Sequence, residues 1–339
     1  MVTDLPVIQA PMAGSQGSAL VIAVSNAGGL GSLPCALLTP DAIHDELSAI
    51  TSATSKPYNV NFFVHREPPV DEEREAAWRA VLAPYYRELG ANPADIPLKA
   101  ARTGFDHAIA AILETFRPPM VSFHFGLPEP SLVRRVQAWG AKVIASATTV
   151  AEARHLEAHG VDAVIAQGLE AGGHRGMFLT DDLSTQIGTL ALVRQLVLAV
   201  RLPVIAAGGI ADAAGVRAAL ALGAGAVQVG TAYLACPEAK TSAVHRAALK
   251  GPGSAVTALT NLFTGRPARG VVNRLMREIG PMNPAAPAFP LASGAIAPLR
   301  AKAEAKGSGD FTGLWAGQYV RRAADQPAAR LTRELAGVV

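Results

Sequence analysis

Eight short apolar runs alternate with helical patterns along the first 230 residues, and this alternation constrains the fold more than any other feature. The runs lie at residues 6–10, 31–34, 58–64, 119–124, 142–146, 162–166, 203–207 and 226–230. Short continuous apolar runs are typical of parallel strands that are covered on both faces. Strands that alternate with helices indicate an α/β fold. Eight such units predict a closed (β/α)8 TIM barrel.

An open, doubly wound parallel sheet is the alternative arrangement of the same elements. That fold commonly carries a Gly-x-Gly-x-x-Gly turn after its first strand, where a dinucleotide binds. The corresponding turn here reads Ala10-Pro-Met-Ala-Gly14 and does not fit the pattern. The sequence therefore favours the barrel.

Two regions interrupt the alternation. Residues 66–100 begin with an acidic, proline-rich stretch and continue into an aromatic helix, which indicates a helical excursion or an oversized crossover. Residues 237–280 have a helical pattern, and residues 281–299 are rich in Pro, Ala and Gly, which is typical of a loop or lid. We expect a barrel of residues 1–236 plus a C-terminal helix at about 300–339, and a smaller, mainly helical domain at about 237–299 that covers the substrate.

Composition and charge exclude several classes of protein. Half of the 339 residues are hydrophobic and the net charge is only +3, without a block of Lys and Arg that would indicate nucleic acid or a membrane surface. Cys35 and Cys236 are too far apart in sequence to indicate a disulfide framework or a metal site. Neither a signal peptide nor an uninterrupted membrane-spanning run is evident. We expect a cytoplasmic monomer or homodimer that binds neither nucleic acid nor a membrane.

The segment Gln167–Gly176 is the strongest candidate for a functional loop. It reads Gln-Gly-Leu-Glu-Ala-Gly-Gly-His-Arg-Gly and directly follows a buried strand. Its paired glycines, Gly172 and Gly173, let the backbone approach a ligand closely. His174 carries a side chain suited to proton transfer near neutral pH. The sequence therefore predicts catalysis at this loop.

Polar groups and glycines also follow other strands, and in a barrel these positions meet at one face. The turns after the seventh and eighth strands contain Gly208, Gly209 and Gly230, and such turns commonly bind phosphate through backbone N–H groups. The amides of Asn61, Gln167 and Gln228 could bind the edge of a flat heterocycle. A phosphate site beside such amides indicates a mononucleotide cofactor, and FMN fits better than a dinucleotide.

Several motifs together resemble the nitronate monooxygenases, formerly called 2-nitropropane dioxygenases, which are FMN-dependent TIM-barrel enzymes. The resemblance covers nearly the whole chain. It depends on the order of seven segments: Gln9–Ala13, Asn59–Phe63, Phe123–Gly126, Gln167–Gly176, Ala207–Ile210, Gln228–Thr231 and Leu314–Gln318.

The resemblance implies roles for individual residues. His174 matches the family's catalytic base, and His124 matches a second histidine that lines the substrate pocket. His124 could instead be a hydrogen-bonded packing residue. The residues implied at the flavin are Pro11, Met12, Asn61, Gln167, Gly172, Gly173, Gly208, Gly209, Gln228, Val229, Gly230 and Thr231.

The implied reaction oxidises an alkyl nitronate with O2 to a carbonyl compound and nitrite, by one-electron transfer through the flavin and without a metal or NAD(P)H. One region departs from the family. Phe289, Ser293 and Ala297 stand where members carry two tyrosines and a lysine, so this wall of the pocket is less polar and has lost a positive charge.

Other functions are compatible with parts of the pattern. A flavin-dependent NAD(P)H oxidoreductase, similar to enoyl-ACP reductases or quinone reductases, would share the barrel and the Glu-Ala-Gly-Gly-His segment. A phosphosugar isomerase or aldolase would share only the scaffold, and the predicted strand ends lack a lysine for Schiff-base chemistry. A non-catalytic flavin-binding protein would bind FMN without turnover.

Overall fold

The eight apolar runs form one parallel sheet that closes into a barrel. The computed structural model of the protein describes residues 3–96, 104–320 and 325–338. The barrel strands are β1 Val7–Gln9, β2 Gly31–Pro34, β3 Tyr58–Phe63, β4 Met120–His124, β5 Lys142–Ala147, β6 Ala163–Gln167, β8 Val204–Ala207 and β9 Ala226–Val229. The strand order is β1-β9-β8-β6-β5-β4-β3-β2.

Two backbone hydrogen bonds close the sheet between its first and last strands. The Leu30 N–H donates to the Val7 carbonyl, and the Gln9 N–H donates to the Leu30 carbonyl, each at 2.9 Å. Every pair of neighbouring barrel strands is parallel. The predicted TIM barrel is therefore confirmed, and each predicted strand lies within two residues of its observed limits.

Helices follow most of the barrel strands and cover the outside of the sheet. Thr39 and Thr149 cap two of them, because each hydroxyl accepts a hydrogen bond at 3.2 Å from the N–H three residues later. The described helices are α1 Ser18–Asn26, α2 Pro40–Ala53, α3 Glu72–Leu89, α4 His107–Phe116, α5 Pro130–Ala138, α6 Val150–Ala158, α7 Thr189–Ala199, α8 Ala213–Ala221, α9 Ala243–Lys250, α10 Arg274–Ile279, α11 Ala292–Glu304 and α12 Ala328–Ala336.

The barrel has an inner and an outer apolar layer. Side chains such as Ile8, Ile144 and Ile205 fill the inside of the barrel. The opposite faces of the strands pack against the helices in a larger core, to which α12 contributes Leu331 and Leu335. Both faces of the sheet are thus buried, which is why its strands read as continuous apolar runs.

A second core lies beside the barrel. It contains aromatic residues of α3, among them Trp78 and Tyr86, together with apolar residues of α10 and α11. Tyr86 joins these helices directly, because its hydroxyl donates a 2.7 Å hydrogen bond to the Ala295 carbonyl.

The second core includes two segments from outside residues 237–299, the range predicted for the smaller domain. The segment at residues 66–100, expected as an excursion of the barrel, contributes α3 to the second core. The expected boundary at residue 300 falls inside α11, which packs in the same core. Residues 97–100, 321–324 and 339 of the predicted segments lie outside the described residues.

A small antiparallel sheet joins the second core to the barrel. Strands β10 Thr257–Thr260 and β11 Ala268–Val271 form a hairpin, and the two-residue strand β7, Gly173–His174, pairs with β11. The helical pattern predicted for residues 237–280 is therefore wrong for the hairpin. Its turn contains Gly265 at φ +89°, where the Pro287 carbonyl lies 2.0 Å from the position of a Cβ atom, so the turn requires glycine.

Among the described residues, none of the helices is both long and apolar enough to cross a membrane.

We expect Trp78→Ala to lower the free energy of unfolding by about 3–5 kcal/mol, because it removes the largest fully buried side chain of the second core. The Trp78 indole N–H has no hydrogen-bond partner among the described residues, so Trp78→Phe should cost clearly less. Urea unfolding of both variants measures the difference. Equal destabilisation would contradict the packing argument.

Candidate active site

A cavity of about 430 Å³ opens at the carboxyl ends of the barrel strands, between the barrel and the second core. This volume is within the range of small-molecule and cofactor sites, roughly 300–1,000 Å³. Every predicted site residue except Val229 lines it: Pro11, Met12, Asn61, His124, Gln167, Gly172, Gly173, His174, Gly208, Gly209, Gln228, Gly230 and Thr231.

Val229 differs from its predicted position. Its side chain is 1% exposed and packs in the outer core of the barrel. Its carbonyl accepts a 2.8 Å hydrogen bond from the Ala10 N–H and so fixes the turn after β1. The neighbouring residue Gln228 points to the opposite face of the strand, as the twofold alternation of a strand requires.

The main chain of His174 is held from two sides. On one side β7 pairs with β11, with His174 opposite Ala268. On the other side the His174 carbonyl accepts hydrogen bonds from Gln167 Nε2 at 2.8 Å and from His124 Nε2 at 3.1 Å. Barrel strands β4 and β6 therefore fix His174 together with the hairpin of the second core.

The Gln167 side chain forms hydrogen bonds with two main-chain groups of the loop that follows it. While its Nε2 donates to His174, its Oε1 accepts a 2.7 Å hydrogen bond from the Gly176 N–H. The sequence predicts that this amide borders a heterocycle, and the structure shows that it also fixes the main chain of residues 174–176.

Arg175 stabilises the same loop from the side that faces away from the cavity. Its side chain is fully buried, and its guanidinium donates at 2.7 Å to the carbonyls of Gln167 and Gly168 and at 3.0 Å to Gln186 Oε1. Burial, and secondarily the nearby Arg269, lower the pKa of Arg175 to about 10. The guanidinium remains charged at neutral pH and contributes positive potential near the cavity.

Glycines permit two segments of the chain to cross closely at the rim of the cavity. A Cβ atom on Gly172 would lie 2.5 Å from the Ala316 carbonyl carbon, so no larger residue fits there without a shift. Gly317 N–H donates to Thr231 Oγ1 at 2.9 Å, and Gln318 N–H donates to the Glu170 carbonyl at 2.9 Å. These hydrogen bonds hold the segment Leu314–Gln318 against the loop Gln167–Gly176.

The imidazole of His174 is oriented by the second core. Its Nε2 lies 2.9 Å from Thr264 Oγ1, in the turn between β10 and β11. Four aromatic rings lie around it, with centroid distances of 5.3 Å to Phe289, 5.4 Å to Trp315, 5.9 Å to Phe63 and 6.0 Å to Phe125. The His174 ring therefore has a hydroxyl group on one nitrogen and apolar rings around it.

Both ring nitrogens of His124 are bound to protein. Because a carbonyl can only accept, Nε2 carries the proton that it donates to His174, and Nδ1 accepts from Ser146 Oγ at 2.9 Å. Burial is the main cause that lowers the pKa of His124 from 6.5 to about 3, and Arg266 and Arg175 lower it further. His124 is therefore neutral at physiological pH.

The amides and glycines of the cavity fit a flat, polar ligand with a phosphate. Gln228 Oε1 is buried in the cavity wall without a hydrogen-bond partner among the described residues, and a ligand N–H would satisfy it. Gly208 and Gly209 have φ of +122° and +68°, which turns their backbone along the cavity. The space beside Gly173 is open to 4 Å where a Cβ atom would stand. These residues are compatible with FMN.

Sequence reasoning missed several functional side chains. Thr264 lies in the hairpin that was predicted as helix, so its position gave no signal. Ser146 lies at the carboxyl end of β5, and that position could have indicated it. Arg175 lies inside the recognised loop, but only the structure shows that its guanidinium turns away from the cavity to bind carbonyls.

Comparison with known proteins gives a consistent result. The chain matches a family model described as nitronate monooxygenase over residues 1–336. It is 47% identical over 333 residues to a nitronate monooxygenase of Pseudomonas aeruginosa, covering 97% of this chain and 95% of that protein. It is 43% identical over 335 residues to a nitronate monooxygenase of Paraburkholderia phytofirmans, covering 98% and 91%.

Solved structures agree with these relatives. A nitroalkane oxidase of Streptomyces ansochromogenes matches with a TM-score of 0.89 at 40% identity, over 99% of this chain and 96% of that one. FabK of Thermotoga maritima matches with a TM-score of 0.73 at 27% identity, over 98% and 92%. The reductase alternative is not favoured by the family model or by the curated relatives.

We expect the stability of the protein to fall as pH decreases from about 6.5 to about 3, partly because of His124. Its pKa is about 3 in the folded state and returns to about 6.5 on unfolding, so the unfolded chain binds more protons in this window. His124→Gln, whose Nε2 can still donate to His174, should reduce the slope by up to about 1.4 kcal/mol per pH unit.

Urea unfolding at several pH values measures this slope. His44→Gln, at a histidine whose side chain is 58% exposed, provides a matched control for the exchange of a histidine for a glutamine. An unchanged slope in His124→Gln would show that His124 is not held neutral.

Proposed function

The chain belongs to the nitronate monooxygenase family and is an oxidoreductase, and from this we propose that it binds FMN and oxidises alkyl nitronates with O2. The products are a carbonyl compound and nitrite. We extend the proposal to neutral nitroalkanes, because the fold matches a nitroalkane oxidase over 99% of this chain at 40% identity.

One observation carries the proposal: His174 stands on the cavity wall with its ring oriented by Thr264 and its main chain fixed by Gln167 and His124. A general base must be held within reach of the proton that it removes, and such positioned proton transfer contributes about 10²–10⁴-fold to a rate. No other histidine of the described lining combines these restraints with a place among the four aromatic rings.

We propose that the cavity holds FMN at the predicted positions, with Val229 contributing only through its backbone. The turns at Gly208–Gly209 and Gly230–Thr231 would hold the phosphate, and Gln228 Oε1 would accept from an N–H of the ring. Asn61 and the Pro11–Met12 turn would line the ring, and Gly172, Gly173 and Gln167 would border it from the opposite loop. When bound, FMN supplies the one-electron oxidation chemistry that links the nitronate to O2.

The protein's own residues then prepare the substrate. His174 takes the acidic α-proton of a neutral nitroalkane, a step that a nitronate does not need. The imidazolium so formed stabilises the nitronate anion at short range. The surrounding rings exclude water, which strengthens that attraction because the local dielectric constant falls.

His124 has a different part in this scheme. Since its two nitrogens bond to Ser146 and to the His174 carbonyl, it positions the base and remains neutral. We retain the prediction that it borders the substrate, but such contact would use the ring surface that lines the cavity and not a hydrogen bond.

We further propose that the barrel and the second core have separate roles in binding. The barrel would hold the cofactor, while Phe263, Thr264, Ser293 and Ile296 from the second core would cover the substrate. The two cysteines are free and buried, in agreement with a reducing compartment, and we propose the cytoplasm. O2 and a small nitronate would be the only reactants.

An anaerobic titration tests the function. We expect the purified protein to show a flavin spectrum that is bleached by a nitronate but not by NADH, with nitrite appearing when air is admitted. Rapid bleaching by NADH alone would favour the flavin-dependent NAD(P)H oxidoreductase instead. A protein that takes up no flavin even after reconstitution with FMN would contradict both.

His174→Ala should keep FMN and lose about 10²–10⁴-fold in kcat/KM on neutral nitroalkanes, while nitronates lose clearly less. The reason is that only the neutral substrate needs the base. Steady-state nitrite release from matched pairs, such as 1-nitropropane and propyl-1-nitronate, measures the two effects, and flavin absorbance reports cofactor content. Equal losses on both substrates would remove the proton-transfer role.

A further inference from the structure

Arg266 lies where the hairpin, the loop that carries His174 and the end of β4 meet. It belongs to the turn between β10 and β11, two residues after Thr264, which contacts the His174 ring, and two residues before Ala268, which pairs with the His174 main chain. Its side chain is half-buried and is not part of the cavity lining. Arg266 can therefore influence the site through the position of residues that do line the cavity.

Arg266 joins the hairpin turn to the loop that carries His174. Its Nη2 donates to the Met177 carbonyl, and its Nε donates to the Arg175 carbonyl at 3.4 Å. In the opposite direction, the Arg175 N–H donates a 2.8 Å hydrogen bond to the Pro267 carbonyl. Because the turn and the loop each donate to the other, neither can shift without breaking these bonds.

The guanidinium of Arg266 also stacks on the residue that follows β4. Its central carbon lies 4.1 Å from the centroid of the Phe125 ring. Phe125 has a φ of +74°, in the left-handed region that a bulky side chain rarely adopts and that persists only where the surroundings hold it. The residue before it is His124, which donates to the His174 carbonyl. The stack therefore connects Arg266 to the strand end that fixes His174.

An arginine is suited to all of these contacts at once. Its guanidinium is planar, so one face can stack on an aromatic ring while the N–H groups donate within the plane. Burial disfavours the charged form and lowers the pKa of Arg266, and hydrogen bonds to carbonyls offset part of this cost. A lysine carries the same charge on one ammonium group and cannot reproduce the stack together with two separate hydrogen bonds. Substitution can therefore separate the effect of the contacts from that of the charge.

We propose that Arg266 is a positioning residue for proton transfer, because it fixes the turn that carries Thr264 against the loop and Phe125 and so holds the His174 ring within reach of the α-proton of a nitroalkane. This inference rests on the proposed function, since it takes His174 to be the base. Catalysis depends steeply on position, and a displacement of about 1 Å can cost about 10²-fold in rate. A nitronate has already lost the α-proton, so its oxidation depends much less on the position of this ring.

Arg266→Met tests the inference, because Met keeps an apolar side chain and removes every hydrogen bond of the guanidinium. We expect kcat/KM to fall about 10- to 100-fold on 1-nitropropane and less than about threefold on propyl-1-nitronate. Nitrite release measures both values, and flavin absorbance reports whether the cofactor is retained. Equal losses on the two substrates would overturn the inference while leaving the proposed function intact.

Arg266→Lys distinguishes the contacts from the charge, and it also tests the inference if Arg266→Met does not fold. We expect a loss of at least about tenfold in kcat/KM on 1-nitropropane, again with a much smaller loss on the nitronate. If Arg266→Lys matches the unaltered protein on both substrates, a positive charge is sufficient and the inference is overturned.

Arg246→Met is the matched control. Arg246 is also half-buried, and it donates to the carbonyls of Ala235, Cys236 and Ala239 at 2.7–2.9 Å. We expect the ratio of the two kcat/KM values to stay within about twofold of that of the unaltered protein, because distant sites act independently. If Arg246→Met lowers the ratio as far as Arg266→Met does, the effect is not specific to Arg266 and the inference is overturned.

A double-mutant cycle tests whether Arg266 acts through the base. In the His174→Ala background, Arg266→Met should change the residual kcat/KM on 1-nitropropane by less than about twofold, because no ring remains to be positioned. A loss by the same factor in both backgrounds would show that Arg266 acts elsewhere, and the inference would be overturned. If the unaltered protein releases nitrite from neither substrate, the proposed function fails and the inference fails with it.

Discussion

The carbonyl oxygen of His174 is the point on which the rest of the site depends. It accepts one hydrogen bond from Gln167 on β6 and another from His124 on β4. A peptide carbonyl has two acceptor positions, so these two donors complete it and define the direction of the peptide plane. The pairing of β7 with β11 fixes the other side of the same residue. The histidine is thus held by three separate elements before any ligand binds.

This arrangement explains why the loop can be rich in glycine and still be rigid. Glycines increase the conformational freedom of an unfolded chain, and a loop built on them must gain fixed contacts to remain ordered. Arg175 supplies three such contacts from a fully buried position, and Gly172 allows the segment at Ala316 to cross at a distance that a side chain would prevent. The glycines provide the close approach, and the buried polar groups provide the order.

The two cores contribute opposite physical properties to one cavity. The barrel supplies amides, glycine turns and the positive potential of the buried Arg175, which suit a polar, anionic ligand. The second core supplies Thr264, which orients the His174 ring, and Phe289, which packs against rings of the barrel. The orientation of the His174 ring and its apolar surroundings therefore both require that the two cores stay together.

The sequence by itself determined the barrel, because eight apolar runs that must be buried on both faces leave few other arrangements. It also determined that His174, Gln228 and the glycine turns meet at one face, since that follows from strand polarity. It could not determine that residues 257–271 form a hairpin, because β10 and β11 are short and are fixed by pairing with each other and with β7. Nor could it show that Thr264, 90 positions away, touches His174, or that Val229 faces the core. Periodicity records which residues are buried, but contacts between distant segments are decided only when both cores are packed.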